Sequence, residues 1–198
     1  MAVERRKYEK KRRAELEADT RRRITETAVE LHGTVGPAHT SISAIAERAG
    51  VRRSTVYRHF PDEAALFDAC SSHWEAANPV PDMGAWAGIE DPDERLRTAL
   101  SELYAFYGRT ERMMENLHRD ERTVPVVAER FAGYHGYMAA ARDLLVQGRL
   151  TRGRRRDETR AAIGHSLSFP TWQSLTREQG LDDRQAIELM CRLVVTTS

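Results

Sequence analysis

Apolar residues recur at intervals of three and four along almost the whole chain, and no stretch alternates apolar and polar residues for long enough to make a half-buried strand. The pattern predicts an all-α fold. A first helix is expected over about 20–32, with Ile24, Ala28 and Leu31 on one face and Gly33 and Gly36 closing it. A short second helix starts after Ser41, a good N-cap, and carries Ile42, Ile45, Ala46 and Ala49 up to Gly50. The third covers about Arg53 to His59, where Val51, Val56 and Phe60 are the residues able to face inward. Asp62 then caps a fourth, with Leu66, Phe67, Cys70 and Trp74 inward, which ends before Asn78-Pro79-Val80-Pro81.

Beyond a loop at about 78–92, Leu96, Leu100, Leu103 and Tyr107 mark a fifth helix and Met113, Met114 and Leu117 a short sixth. Val127, Phe131, Tyr134, Met138, Ala141 and Leu145 give the clearest stripe of the chain, a long seventh helix. The basic run Arg152 to Arg156 reads as a loop. Two more helices follow at about 157–178 and 182–196, separated by Gly180. Pro170 falls inside the first of these and is expected to kink it, because it removes a backbone donor; such a kink would help open a pocket. Residues 1–19 read as a basic flexible arm, 20–66 as one module and 67–198 as another.

Charge sharpens this division. The net charge is only +1, yet residues 1–60 hold 14 Lys/Arg against 8 Asp/Glu and the remainder 17 against 22. A basic module that meets a polyanion, joined to a body that does not, is the reading this supports. Cys70 and Cys191 fit no metal-ligand spacing and are too few for a disulfide framework. No stretch approaches the roughly 18 apolar residues of a membrane span, so the expected location is the cytoplasm.

Two short helices joined by a turn containing Gly are the signature of a helix-turn-helix, whose second helix can enter the major groove. Arg52, Arg53, Ser54, Thr55, Tyr57, Arg58 and His59 crowd polar and cationic groups onto about two turns, a face costly to bury and suited to phosphates and base edges. The run Thr40-Ser41-Ile42, Ile45 to Val51, Ser54 to Asp62 and Leu66-Phe67 resembles the DNA-binding signature of the tetracycline-repressor (TetR) family. That resemblance implies a three-helix DNA-binding domain followed by a helical ligand-binding and dimerisation domain. By position it makes Arg53, Ser54 and Thr55 candidate base contacts and Tyr57, Arg58 and His59 candidate phosphate contacts. Ser41 and Ser43 would hold flanking phosphates, and Arg52 stands beside them. Two positions depart from the family pattern: Arg52 replaces a small capping residue and Glu63 replaces a lysine. Glu63 is expected to face Arg58 or solvent.

The resemblance further implies a homodimer through the last two helices, a palindromic double-stranded DNA operator and a small-molecule effector. Candidate pocket residues are the aromatic, thioether and imidazole side chains Trp86, Tyr104, Tyr107, Met114, His118, Phe131, Tyr134, Met138, Phe169 and Trp172, which offer apolar walls with polar tips. An amphipathic or aromatic effector that releases a repressor from DNA follows as the expected function. Its rivals are a DNA-binding regulator without a sensor and an all-helical enzyme using His118, Asp120, His135 or His165. Those histidines have no ligand spacing and no nucleophile motif around them, so no catalytic group, metal or cofactor is expected.

Overall fold

The computed structural model describes the backbone of residues 2–197 and the side chains of residues 4–197. The described residues form α1 (Ala2–Thr34), α2 (Ile42–Arg48), α3 (Arg53–His59), α4 (Glu63–Ala77), α5 (Met83–Ala87), α6 (Pro92–Asp120), α7 (Pro125–Val146), α8 (Gly153–Leu167), α9 (Phe169–Gln173) and α10 (Asp183–Thr197), with no strand among them. They fall into two compact units. The first holds the chain up to Ala77 together with Glu115–Val127, and the second holds Asn78–Met114 and the chain from Ala128. These limits differ from the expected break at 66/67, because α4 lies wholly in the first unit and a distant segment joins it.

The first unit is built round Ile24 and Ala28 of α1, Ile42, Ile45 and Ala46 of α2, Val56 and Phe60 from α3, Leu66, Phe67 and Cys70 of α4, and Val127. Leu117, Val124 and Val126 pack on the same cluster. Polar contacts fix the distant segment in place. The Asn116 amide donates to the His32 carbonyl at 2.9 Å, and the Ala38 N–H donates to Asp120 Oδ2 at 2.9 Å. Burial pushes the Asp120 carboxyl up, but the Arg119 guanidinium and the Ala38 N–H outweigh it and hold the group below its ordinary value. Gly36 has φ +93° here, and a Cβ on it would lie 2.6 Å from Asp120 Oδ2. The backbone needs glycine at that point.

α1 starts far earlier than the expected residue 20, so the segment read as a flexible arm is helical. Its exposed charges pair one turn apart, Arg5 with Glu9 at 3.1 Å, Lys11 with Glu15 at 3.8 Å and Arg13 with Glu17 at 3.3 Å. Each such pair adds only about 0.2–0.5 kcal/mol. They extend a helix already nucleated by its packed C-terminal half, where propagation is easy.

In the second unit the fifth and sixth predicted helices are one, α6. The apparent gap between Tyr107 and Met113 is filled by Thr110, a buried residue whose hydroxyl bonds back to the Phe106 carbonyl at 2.6 Å. The 78–92 loop contains the short α5, capped by Asp82. The arginine run is not a loop, since α8 begins at Gly153. Two arginines with little exposure close the C-terminal end of α7: Arg95 donates to the carbonyls of Gln147 at 2.9 Å, Ile89 at 2.8 Å and Glu90 at 3.2 Å, and Arg149 to Pro92 O at 2.9 Å and Asp93 at 2.8 Å. A cation at this end also suits the helix dipole.

Pro170 does not kink a continuous helix. The chain stops at Leu167, Ser168 is extended, and Pro170 sits in the first turn of α9, where its missing N–H costs nothing. The break leaves the carbonyls of Ser166 and Leu167 without helical donors. The hydroxyls of Tyr104, at 2.9 Å, and Tyr107, at 2.5 Å, supply the missing bonds.

Candidate functional site

The turn between α2 and α3 follows from a few residues. Ser41 caps α2 by accepting the Ala44 N–H at 3.1 Å. At its other end Gly50 adopts φ +65°, the Gly50 N–H reaches Glu47 O at 3.1 Å, and the Val51 N–H reaches Ala46 O at 2.9 Å. This is the Schellman closure, and it turns the chain sharply into α3. Buried Val56 and Phe60 pin α3 to the core from below. Arg21 of α1 closes the far end, because its guanidinium donates to the His59 carbonyl and lies 4.1 Å above the Phe60 ring. A second clamp, between Arg48 and Glu30, ties α2 to α1.

What α3 shows to solvent is almost entirely polar. Arg52, Arg53, Ser54, Tyr57 and Arg58 are exposed, as are Ser41 and Ser43 at the start of α2, so seven of the predicted residues are open to solvent. Thr55 and His59 are half-buried. Burial, with the Arg58 and Arg21 charges, lowers the His59 pKa, and its Nε2 is enclosed without a hydrogen-bond partner. The imidazole is thus favoured as the neutral form.

The predicted pocket residues divide differently. His118 lies in the first unit, 3.8 Å from Glu121 through Nδ1. The other nine lie in the second unit. There Tyr107 is central: its ring is 5.3 Å from Phe169, 5.8 Å from Trp172 and 6.3 Å from Tyr104. Trp86 and Trp172 are fully buried, with indole N–H groups donating to Glu102 at 2.8 Å and Asp183 at 2.9 Å. Burial raises the Tyr104 and Tyr107 pKa values, so both hydroxyls stay protonated and available as donors. At the edge, half-buried Tyr134 brings its hydroxyl to 2.9 Å from that of Tyr107, Met138 Sδ lies 3.9 Å from the same oxygen, and the Phe131 ring stacks 4.7 Å from Tyr134. Met114 is buried on α6. Most polar tips of the cluster are already engaged, and Tyr134 and Met138 are its most exposed members.

Comparison with known proteins agrees with this geometry. Residues 24–70 match the sequence profile of the bacterial regulatory proteins, tetR family. This segment carries the tetR-family signature. Over the whole chain the fold is that of TetR-like regulators. It resembles a TetR-like transcriptional regulator from Rhodococcus sp. RHA1, with TM-score 0.63 and 19% identity over 89% of this chain and 93% of the other. A TetR transcription regulator from Haloarcula marismortui matches with TM-score 0.59 and 14% identity, covering 91% and 96%. The multidrug binding protein EbrR, solved with imidazole, matches with TM-score 0.52 and 23% identity, covering 88% and 89%. No curated protein matches the sequence. Among the described residues no helix is long and apolar enough to cross a membrane.

Both departures from the TetR pattern are visible. Arg52 stands at the N-cap of α3 and makes no side-chain capping bond, while Glu63 is exposed in the first turn of α4. Sequence reasoning missed Arg21, Asn116 and the structural task of Asp120. Arg21 was legible in principle, because it lies three residues before Ile24 on the same helical face. The other two act on backbone atoms more than eighty residues away in the chain, and nothing local marks them.

Proposed function

We propose that this chain is a ligand-responsive transcriptional regulator, a repressor that binds a palindromic operator as a homodimer and is released by a small amphipathic or aromatic effector. The observation that carries the reading is the α3 surface, an exposed group of Arg53, Ser54, Tyr57 and Arg58 held rigidly on a capped and clamped helix-turn-helix. Arg53, Ser54 and Thr55 read base edges, Tyr57 and Arg58 hold phosphates, and His59, Ser41, Ser43 and Arg52 complete the contact. A single seven-residue helix spans only a few base pairs. Two copies about 34–36 Å apart read a palindrome, and α8 with α10 supplies the pairing surface. The edge of the aromatic cluster at Tyr134 and Met138 is the effector's place, supported by the fold shared with a protein described as multidrug binding. Such a protein works in the cytoplasm.

Selection of duplexes from a randomised pool, at physiological salt, tests the proposal. An enriched inverted repeat is expected. Arg53→Ala should relax base preference at one position, whereas Tyr57→Phe should weaken all sequences alike. Enrichment of nothing by folded protein would overturn the DNA-reading role. For the effector, a bound ligand at 100 times its Kd raises stability by about 2.7 kcal/mol, so a thermal-shift screen of amphipathic compounds reads it directly.

A further inference from the structure

The face of α1 that enters the core does not end where the core ends. Arg6, Lys10, Arg13, Glu17 and Arg21 follow one another at spacings of three and four, and the same line continues through Ile24, Ala28 and Leu31. It is one helical face, charged in its first half and packed in its second. Arg21, at the junction, holds the last carbonyl of α3, and the Glu17 charge is felt at His59. The acids Glu4, Glu15 and Asp19 fall on the other half of the helix, and Glu9, at the flank of the stripe, pairs with Arg5. Among the described residues Arg6, Lys7 and Lys10 form no ion pair, and every side chain from Glu4 to Asp19 is exposed.

We propose that this stripe is a second DNA-binding surface: Arg6, Lys10 and Arg13, with Lys7 beside them, lie against the phosphates that flank the base pairs read by α3. The inference rests on the DNA-reading role of α3. Along a helix the fifteen steps from Arg6 to Arg21 cover about 22 Å, or roughly six to seven base pairs at 3.4 Å each. A stripe of cations on a rigid helix, continuous with the face that holds the recognition helix, complements a phosphate backbone. It adds affinity without sequence preference. Helical order also removes the cost of fixing a flexible arm on binding.

The test uses the full chain and the duplex enriched above, in one version with about ten added base pairs on each side and one trimmed to the repeat. Arg6→Gln, Lys10→Gln and Arg13→Gln are combined, since glutamine keeps helix propensity and removes charge. On the long duplex the slope of log affinity against log salt should fall by about 2–3 per protomer, with the preferred sequence unchanged. On the trimmed duplex the two proteins should show the same slope. Equal slopes on the long duplex, with helix content retained by circular dichroism, would overturn the stripe while leaving the role of α3 standing. If the unaltered protein enriches no sequence at all, the reading of α3 fails and this inference fails with it.

Discussion

Lowering the pH from 7 to 5 should cost the first unit about 2 kcal/mol of stability through His32 alone. The ring is buried between α1 and α4, 3.5 Å from Cys70 Sγ through Nδ1 and 5.3 Å from the Phe67 ring. Burial lowers its pKa to about 4, although the Asp120 charge pulls the other way. A histidine whose folded pKa lies below its unfolded value gives stability that is complete above about 6.5 and lost as the pH falls towards 4, because the unfolded chain takes up the proton more readily. At pH 5 the unfolded ring is almost fully protonated and the folded one only about a tenth, which gives the 2 kcal/mol; at pH 7 the difference is a few tenths. Urea unfolding of the native chain and of His32→Leu, at both pH values, isolates the ring. His59, lowered in the same direction, contributes equally to both proteins. Asp120, lowered below an ordinary value near 4, titrates under this window. If His32→Leu loses as much stability between pH 7 and 5 as the native chain, the account of His32 is wrong.

Arg52→Ser should restore the missing N-cap of α3 and raise stability by about 1 kcal/mol in urea unfolding. Gly36→Ala should destabilise the first unit by about 1–3 kcal/mol, since it forces a side chain into the positive-φ region against Asp120; hydrogen exchange at the ends of α1 and α6 would report it. Tyr107→Phe should cost about 1–3 kcal/mol by leaving the Leu167 carbonyl buried without its donor, with a lowered melting temperature as the readout. Arg95→Met, which keeps the stem and removes the charge, should cost at least as much, because the carbonyls of Ile89 and Glu90 before α6 and of Gln147 after α7 lose their donor together.

The segment from Ser41 to Asp62 could be read residue by residue because its structure is local. A cap on α2, a left-handed glycine in the turn and a cap on the following α4 bracket the two helices, and the polar face of α3 is exposed. The expectations that differ from the structure are those where a contact, and not the spacing of apolar residues, decides the outcome. Thr110 looks like a break in an apolar stripe until its hydroxyl is seen to be satisfied by its own helix. Pro170 looks like a kink until two tyrosines from α6 are seen to donate to the Ser166 and Leu167 carbonyls just before a full stop. The charges of residues 4–19 suggest a loose arm, and only the packed continuation of the same helix makes order there affordable. Nine of the ten pocket candidates share the second unit and His118 lies in the first, and the hydrogen bonds that already engage the tyrosine and tryptophan tips leave no mark in the sequence.

The first unit takes part of its core from residues 115–127, which puts Val127 and the Asn116 and Asp120 bonds on the far side of the segment 78–114. During synthesis the N-terminal helices therefore emerge from the ribosome well before the piece that seals them. Until then Ile24, Phe67 and their neighbours present an incomplete apolar surface, and the loop that must close carries an entropic cost of its own. A gene fragment ending at Ala77 encodes every side chain of the α3 face but lacks this seal. Grafting the reading head onto another protein by a single cut should give an aggregation-prone product.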